Sequence, residues 1–345
     1  MLIDDHGRLP LPWLWPALQR ALGLPRAHAV MLHADPGDGA LELVACLAQS
    51  WLCESPLPDR RACGHCVSCQ YLHARTHPDM RWLLPESLQL ELGWADAGDD
   101  ADEGSRAKAR KPSRQLRIEA VRSAIDWTAR SATRGGVKVV ALHPAEALNP
   151  QSGNALLKTL EEPPPATRMI LTSSEPNRVL PTIRSRCQMV RLETPGAAEA
   201  SDWLQSRDAG DGLTLLRAAG GHPLEALALA RTVASANDWN DLPARLARGQ
   251  AFDLMTSWGL SLSVAALLKV CHDCMAVAVG GEPRYFDAGR FPRPPAMASL
   301  CDWQRLLVET GRTVDHPWNE TLRLEYLASS ALATWQGRPL DTLQA

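Results

Sequence analysis

Short apolar runs alternate with amphipathic stretches along the first half of the chain. Ala29 to His33 is an apolar run that ends in a turn rich in Pro and Gly, and apolar residues then recur at helical spacing as far as Leu52. Val137 to Leu142 is a second run, broken only by Lys138, and Met169 to Thr172 is a third. Such runs predict strands that are buried on both faces of a parallel sheet.

Helix signals lie between these strands. Ile118, Val121 and Ile125 mark one face of a helix. Asn149 before Pro150 is a strong helix start, because asparagine is a preferred cap and proline suits the first helical position. The alternation of strands with helices predicts a parallel α/β domain.

The pattern changes near Leu192, and from about Gly196 onward it is helical with no clear strand. Apolar residues in this part recur at spacings of three and four, as on the buried face of a helix. The predicted fold class is therefore α/β followed by all-α. One stripe comprises Val264, Leu267, Leu268, Cys271 and Met275, and a second comprises Leu322, Tyr326, Leu327 and Ala331.

Composition and charge narrow the class of protein. Hydrophobic residues make up 45% and charged residues 22% of the chain, which is typical of a globular protein. No stretch approaches the roughly 20 consecutive apolar residues of a membrane span, and no export signal opens the sequence, so we expect a cytoplasmic protein. The net charge is −3. Proteins that grip DNA through their own surface are clearly basic, so we expect any DNA contact to be local or shared with partners.

Residues 93 to 113 are low in complexity. An acidic run from Asp96 to Glu103 is followed by a basic run from Arg106 to Arg114. Charge blocks of this kind cannot bury enough apolar surface to fold, so we predict a disordered surface insertion.

Four cysteines are clustered before this insertion. Cys63, Cys66 and Cys69 have the spacing C-x2-C-x2-C, and Cys53 lies ten residues upstream. Four thiolates satisfy a tetrahedral structural zinc site with no open position, and Gly64 lets the chain turn tightly between ligands. The alternatives are unbound thiols and an iron–sulfur cluster, although the run lacks the Cys-Pro that follows in many such clusters.

A second cysteine pair, Cys271-x2-Cys274, has the spacing of metal ligands but a different setting. Cys271 lies on the apolar helical stripe, and the intervening His272 has no convergent partners in the sequence. We interpret both cysteines as small buried hydrophobic residues.

The first strand and helix flank a degenerate phosphate-binding loop. A working loop, G-x-x-x-x-G-K-[ST], cradles phosphates with backbone amides, reaches the outer phosphates with lysine and holds magnesium with the hydroxyl. Here Ala40 replaces the lysine and Leu41 the hydroxyl residue, while two aspartates add negative charge. We therefore expect no bound ATP. The loop reads Ala34, Asp35, Pro36, Gly37, Asp38, Gly39, Ala40, Leu41.

The acidic pair that would hold magnesium at a strand end is also missing. After the strand that ends at Leu142 come His143 and Pro144, and Glu146 is the only carboxylate nearby. Both losses predict that this chain does not hydrolyse ATP.

Two motifs make the resemblance to a family specific. The run from Asn154 to Pro164, N-A-L-L-K-T-L-E-E-P-P, and the run from Thr182 to Cys187, T-I-R-S-R-C, closely resemble the bacterial clamp-loader subunits of the AAA+ class. The four-cysteine module is similar to both the ATPase (gamma/tau) and the delta-prime subunits. The degenerate loop and the His143-Pro144 replacement match the delta-prime family of DNA polymerase III.

The resemblance implies an architecture and a role for one arginine. It implies an AAA+ α/β domain over residues 1–194 with a zinc module at 53–69, a small helical lid over 195–240, and a helical collar for oligomerisation over 241–345. Arg186, in the S-R-C triplet, is implied to be an arginine finger that reaches ATP bound by a neighbouring subunit. Leu224 stands where active relatives place an arginine on their own nucleotide, and Ser173-Ser174 where they place a nucleotide sensor.

The resemblance further implies partners and a function. The partners are gamma/tau-like ATPase subunits and a delta-like subunit in a hetero-pentamer, and through them the sliding clamp and primed DNA. The chain is then an accessory, non-hydrolysing subunit of a DNA-directed DNA polymerase, acting as a rigid stator during clamp loading. The alternatives are an active clamp-loader ATPase, which predicts ATP binding by the chain alone, and a zinc-dependent DNA-binding or repair factor, which predicts tight DNA binding.

Overall fold

The chain folds into two compact units, one from Met1 to Thr194 and one from Pro195 to Ala345. The computed structural model describes residues 1–24, 28–94, 112–134, 136–233, 235–314, 316 and 319–340. The predicted insertion at 93–113 falls outside these residues, except for the two residues at each of its ends.

The first unit is built on a five-stranded sheet in which every pair of neighbouring strands is parallel. The strand order is β2-β3-β4-β1-β5, so the first strand of the chain lies inside the sheet. Each connection between parallel strands crosses over the sheet, as the alternation of strands and helices predicts. The strands are β1 Ala29–His33, β2 Met80–Leu83, β3 Lys138–Leu142, β4 Thr167–Ser173 and β5 Gln188–Arg191.

The three inner strands are the ones that apolar runs predicted. Every residue of β3 is buried, including Lys138, whose side chain is 3% exposed overall. Lys138 is tolerated there because its Nζ donates to the carbonyl oxygen of Trp127 at 2.6 Å and lies 4.4 Å from the Trp127 ring centroid. The edge strands β2 and β5 were not predicted, because each has only four residues and contains polar residues, and β5 has a single buried residue.

The helices of the first unit cover the sheet and include the predicted capped helix. Asn149 accepts a hydrogen bond from the backbone amide of Ser152 at 2.9 Å, which satisfies a donor at the start of α6. The helices are α1 Trp15–Gly23, α2 Ala40–Leu52, α3 Val67–His73, α4 Glu86–Glu91, α5 Ile118–Thr128, α6 Pro150–Glu161 and α7 Pro181–Arg184.

The second unit is helical, and its described residues contain no strand, so the predicted succession of α/β and all-α parts is confirmed. Trp239 is fully buried and stacks on Phe286 with ring centroids 5.2 Å apart. The second predicted stripe was wrong at Leu322, which is 62% exposed, whereas Leu324 is buried. The helices are α8 Ala197–Gln205, α9 Gly212–Ala218, α10 Pro223–Thr232, α11 Ala236–Ala247, α12 Phe252–Ala278, α13 Met297–Arg312 and α14 Glu320–Trp335.

Helix α12 is long and apolar enough to cross a membrane by length and composition alone, and no other helix among the described residues is. Half of its most apolar window is buried inside the structure, and the core helix of a protein outside a membrane passes the same test. Gly259 interrupts the helix with φ +77° and ψ 171°. Two charged residues, Lys269 and Asp273, interrupt the apolar residues of this helix.

Candidate functional site: a cysteine cluster, a filled phosphate loop and an exposed arginine

The four clustered cysteines converge on one point. Their sulfur atoms all lie within 4.8 Å of one another. Cys53 Sγ is 3.6 Å from Cys63 Sγ and 3.8 Å from Cys66 Sγ. Four sulfurs arranged as a tetrahedron around one zinc ion, with bonds of about 2.3 Å, stand about 3.8 Å apart. The thiol set therefore fits a single tetrahedral ion, and the sequence identified all four of its members.

Hydrogen bonds and burial act on these thiols in opposite directions. Burial raises the pKa of Cys53 to about 11. Burial acts in the same sense on Cys66, but hydrogen bonds from the backbone of Cys69 and Glu54 outweigh it and lower the pKa of that thiol to about 7. A cation at the centre would favour the thiolate form of all four cysteines.

The chain on either side fastens the cysteine cluster to the sheet domain. Gly64 has φ +80°, and a Cβ there would lie 1.8 Å from the carbonyl oxygen of Asp4, so glycine is required. Next to the first cysteine, Glu54 Oε1 accepts bonds from Arg134 Nη2 at 2.6 Å and from Ser68 Oγ at 2.9 Å. Arg134 precedes β3, so this pairing connects the cluster to the sheet.

The degenerate phosphate loop packs closely against the chain's own side chains. Gly39 has φ +100°, and a Cβ at this position would lie 2.4 Å from Leu11 Cδ1. The indole Nε1 of Trp13 donates to the carbonyl oxygen of Asp38 at 2.7 Å. The carboxylate of Asp38 is buried and accepts a bond from Thr194 Oγ1 at 2.6 Å. Leu11 and Trp13 thus pack against the loop, and the Asp38 carboxylate is already engaged by Thr194.

The strand ends beside the loop are also occupied by internal contacts. His143 Nδ1 lies 2.5 Å from Thr172 Oγ1, and burial lowers the pKa of His143 to about 4, so this imidazole is neutral at pH 7. Glu146 Oε1 accepts bonds from Ser173 Oγ at 2.6 Å and from the amide of Glu175 at 2.8 Å. Burial opposes ionisation of Glu146, but these hydrogen bonds lower its pKa. The Glu146 carboxylate is therefore already used as an acceptor of internal hydrogen bonds.

Arg186 lies between α7 and β5 with one third of its side chain exposed. Its Nη1 donates to the carbonyl oxygen of Thr182 at 2.8 Å and to Ser185 Oγ at 3.3 Å. Its Nη2 pairs with Glu161 Oε1 at 2.5 Å. Arg184 has separate partners, donating to Asn177 Oδ1 at 2.8 Å. The guanidinium of Arg186 is thus held in one place with an edge open to solvent.

Comparison with known proteins decides the family. A family model described as "DNA polymerase III, delta subunit" matches residues 16–196. The DNA polymerase III subunit delta-prime of Pseudomonas aeruginosa is 35% identical over 294 residues, which cover 85% of this chain and 75% of that protein. The chain belongs to the delta-prime family of DNA polymerase III.

Other relatives agree with this assignment over a shorter span. The delta-prime subunit of Escherichia coli K12 is 36% identical over 227 residues, 63% of this chain and 60% of that protein. Among solved structures, a DNA polymerase III gamma subunit-related protein from Thermotoga maritima has a TM-score of 0.49 and 15% identity, covering 94% of this chain and 99% of its own. Family membership therefore rests on the sequence relatives.

The second cysteine pair and the histidine between its members form no metal site in this delta-prime family member. Cys271 and Cys274 are buried in α12, and Cys271 Sγ donates to the carbonyl oxygen of Leu300 at 3.6 Å, as expected for small core residues. His272 pairs with the buried Asp273, whose carboxylate accepts backbone amides of residues 284–286. We find no second metal cluster among the described residues.

Three residues of the site escaped the sequence reasoning. Leu11 and Trp13 pack against the phosphate loop from more than 20 positions away in the chain, and no local pattern marks them for this contact. Glu161 belongs to the motif that identified the family, but the motif does not show that it pairs with Arg186. Only the packing of separate elements brings these side chains together.

Proposed function

We propose that this chain is a non-hydrolysing subunit of the bacterial sliding-clamp loader, which completes the ATP site of a neighbouring ATPase subunit with Arg186. The observation that carries the proposal is the contrast between two places in one domain. The chain's own phosphate loop has Ala40 and Leu41 at the lysine and hydroxyl positions, packs against Leu11 and carries the buried carboxylate of Asp38. Arg186, in contrast, is partly exposed and is held by hydrogen bonds and an ion pair with Glu161.

The chemistry of Arg186 suits action on a neighbour. A guanidinium placed against the oxygens of a transferring phosphoryl group stabilises the charge of the transition state, and such an arginine finger contributes on the order of 10³ to 10⁵ in rate. Arginine is also always charged and offers a planar set of donors that matches phosphate. One third of the side chain is accessible, so a phosphate could approach without unfolding of the loop.

We propose that Cys53, Cys63, Cys66 and Cys69 bind one structural zinc ion. The spacing of their sulfurs supports one tetrahedral ion, whereas the thiolates of a four-iron cluster each bind a separate iron. All four positions of the ion are then filled by protein. Zinc would act by stabilising the module around α3 and would take no part in phosphoryl transfer.

We propose gamma/tau-like ATPase subunits and a delta-like subunit as partners in a hetero-pentamer, with the sliding clamp and primed DNA reached through the complex in the cytoplasm. The names of the relatives support membership of the DNA polymerase III assembly. Within it the chain would act as a rigid stator, with residues 1–194 as the AAA+ domain, 195–240 as a lid and 241–345 as an oligomerisation collar.

The test is reconstitution of the loader from this chain and the ATPase subunits of the same organism. We expect Arg186→Ala to remove the part of the kcat of clamp- and DNA-stimulated ATP hydrolysis that comes from the one site this chain completes, since an arginine finger contributes on the order of 10³ or more at its site. Sites that do not depend on this chain set the remaining rate. Arg184→Ala is the matched control, because Arg184 lies two residues away and has its own partners. Gel filtration checks that the ring assembles. Unchanged hydrolysis by an intact Arg186→Ala ring would refute the proposal.

A further inference from the structure

The pair of Arg186 and Glu161 joins two elements whose separation is fixed by packing. Glu161 is the last residue of α6, and Arg186 follows α7. At the place where these helices meet, a Cβ on Gly153 would lie 2.6 Å from Leu180 Cδ1 and 3.4 Å from Ile183 Cδ1. Gly153 therefore leaves room for the Leu180 side chain, which would have to shift if this position carried a Cβ. The carboxylate and the guanidinium are brought together by the fold and not by a chance meeting of long side chains.

The arrangement of acceptors leaves part of the guanidinium free for a further ligand. Glu161 Oε1 takes one bond from Nη2 at 2.5 Å, while Thr182 O and Ser185 Oγ take bonds from Nη1. An arginine side chain offers five N–H donors. The Arg186 side chain is 33% exposed and that of Glu161 is 49% exposed, so water reaches both partners.

An ion pair this exposed contributes little to the stability of the fold. It does restrict the side chain of Arg186, which would otherwise sample many rotamers. Holding a catalytic group in place before the reaction removes an entropic cost from the rate-limiting barrier. The main effect of the Arg186–Glu161 pair is therefore to orient the guanidinium of Arg186.

We propose that Glu161 is a positioning residue that holds the Arg186 guanidinium in the direction from which it meets ATP on the neighbouring subunit. This inference rests on the proposed function of Arg186. Glu161 does not touch the nucleotide and acts only through the arginine. Its removal should lower the rate of the chemical step and leave binding of ATP by the neighbour unchanged.

The experiment is a double-mutant cycle in the reconstituted loader, with steady-state ATP hydrolysis as the readout. We expect Glu161→Ala to lower the Arg186-dependent part of kcat (the part lost in Arg186→Ala) about tenfold, equivalent to about 1.4 kcal/mol, with the KM for ATP unchanged. In the Arg186→Ala background the same substitution should have no further effect. Glu161→Gln, which keeps an acceptor oxygen, should restore most of the loss.

Glu162→Ala is the matched control, because Glu162 is the exposed neighbour in the same motif. Thermal melts and gel filtration check that each variant folds and assembles. An unchanged or raised kcat in Glu161→Ala would overturn the inference, since a rise would mean that Glu161 competes with phosphate for the guanidinium. An equal loss in the Arg186→Ala background would also overturn it, because Glu161 would then act independently. If Arg186→Ala alone has no effect, the proposed function fails as well.

Discussion

Restoring the two missing residues of the phosphate loop should not restore ATP binding. Ala40→Lys combined with Leu41→Thr recreates the sequence signals for lysine and hydroxyl. The filled loop, however, presents two further obstacles, Leu11 packed against Gly39 and the buried carboxylate of Asp38. We therefore expect that the variant carries the lysine and hydroxyl residues of the motif but does not bind ATP.

The size of each obstacle follows from its chemistry. Leu11 is 3% exposed, and moving a buried leucine into water costs about 1.5–3 kcal/mol. If a phosphate bound by the loop lay about 5 Å from the carboxylate of Asp38, the repulsion would be about 3 kcal/mol at an effective dielectric constant of about 20. Together these terms weaken binding on the order of 10⁴-fold, so a loop that would otherwise have a Kd of about 1 μM for ATP would have one of about 10 mM.

Calorimetric titration with Mg-ATP provides the assay. The double variant should show no binding, whereas adding Leu11→Ala and Asp38→Ala should bring the Kd below about 1 mM. Circular dichroism and thermal melts must show that both proteins are folded, since Leu11→Ala alone costs about 2–5 kcal/mol of stability. A Kd below about 100 μM for the double variant would refute the reasoning, because Leu11 and Asp38 would then be no obstacle.

Two further predictions concern the metal and pH. Cys66→Ser should leave the purified protein with much less than one zinc per chain and lower its melting temperature, since structural zinc contributes on the order of 10 kcal/mol to its module. Elemental analysis measures the zinc content, with Cys301→Ser, a substitution of an exposed cysteine, as the control. Full zinc content in Cys66→Ser would contradict the assignment. The pKa of His143 is about 4 in the fold against an ordinary 6.5, so its contribution to stability is complete above pH 6.5 and is lost as the pH falls towards 4, by up to about 3 kcal/mol. Urea unfolding of the wild type and His143→Asn between pH 4 and 7.5 measures this, and equal slopes with pH in both proteins would show that another group is responsible.

Local signals in the sequence predicted much of the fold and part of the site. The inner strands β1, β3 and β4 are apolar because both of their faces are buried, and burial of this kind leaves a continuous run that can be read directly. The cap at Asn149 acts within three residues. The cysteine ligands lie within one short stretch, so their spacing carries the geometry of the site.

The edge strands show where local signals fail. β2 and β5 each have one free edge and polar residues within them, and their strand structure depends on pairing with β3 and β1. A four-residue segment of mixed pattern has no strong preference of its own. The sheet decides its conformation.

The sequence by itself determined the family, the cysteine cluster and the loss of the phosphate-loop lysine, because each depends on residues close together in the chain. Only the tertiary structure decided that Leu11 and Trp13 pack against the loop, that Glu161 pairs with Arg186, and that Gly153 lies against Leu180. These contacts join residues that are far apart in sequence. Their energies depend on distances and burial that exist only after the separate elements have packed.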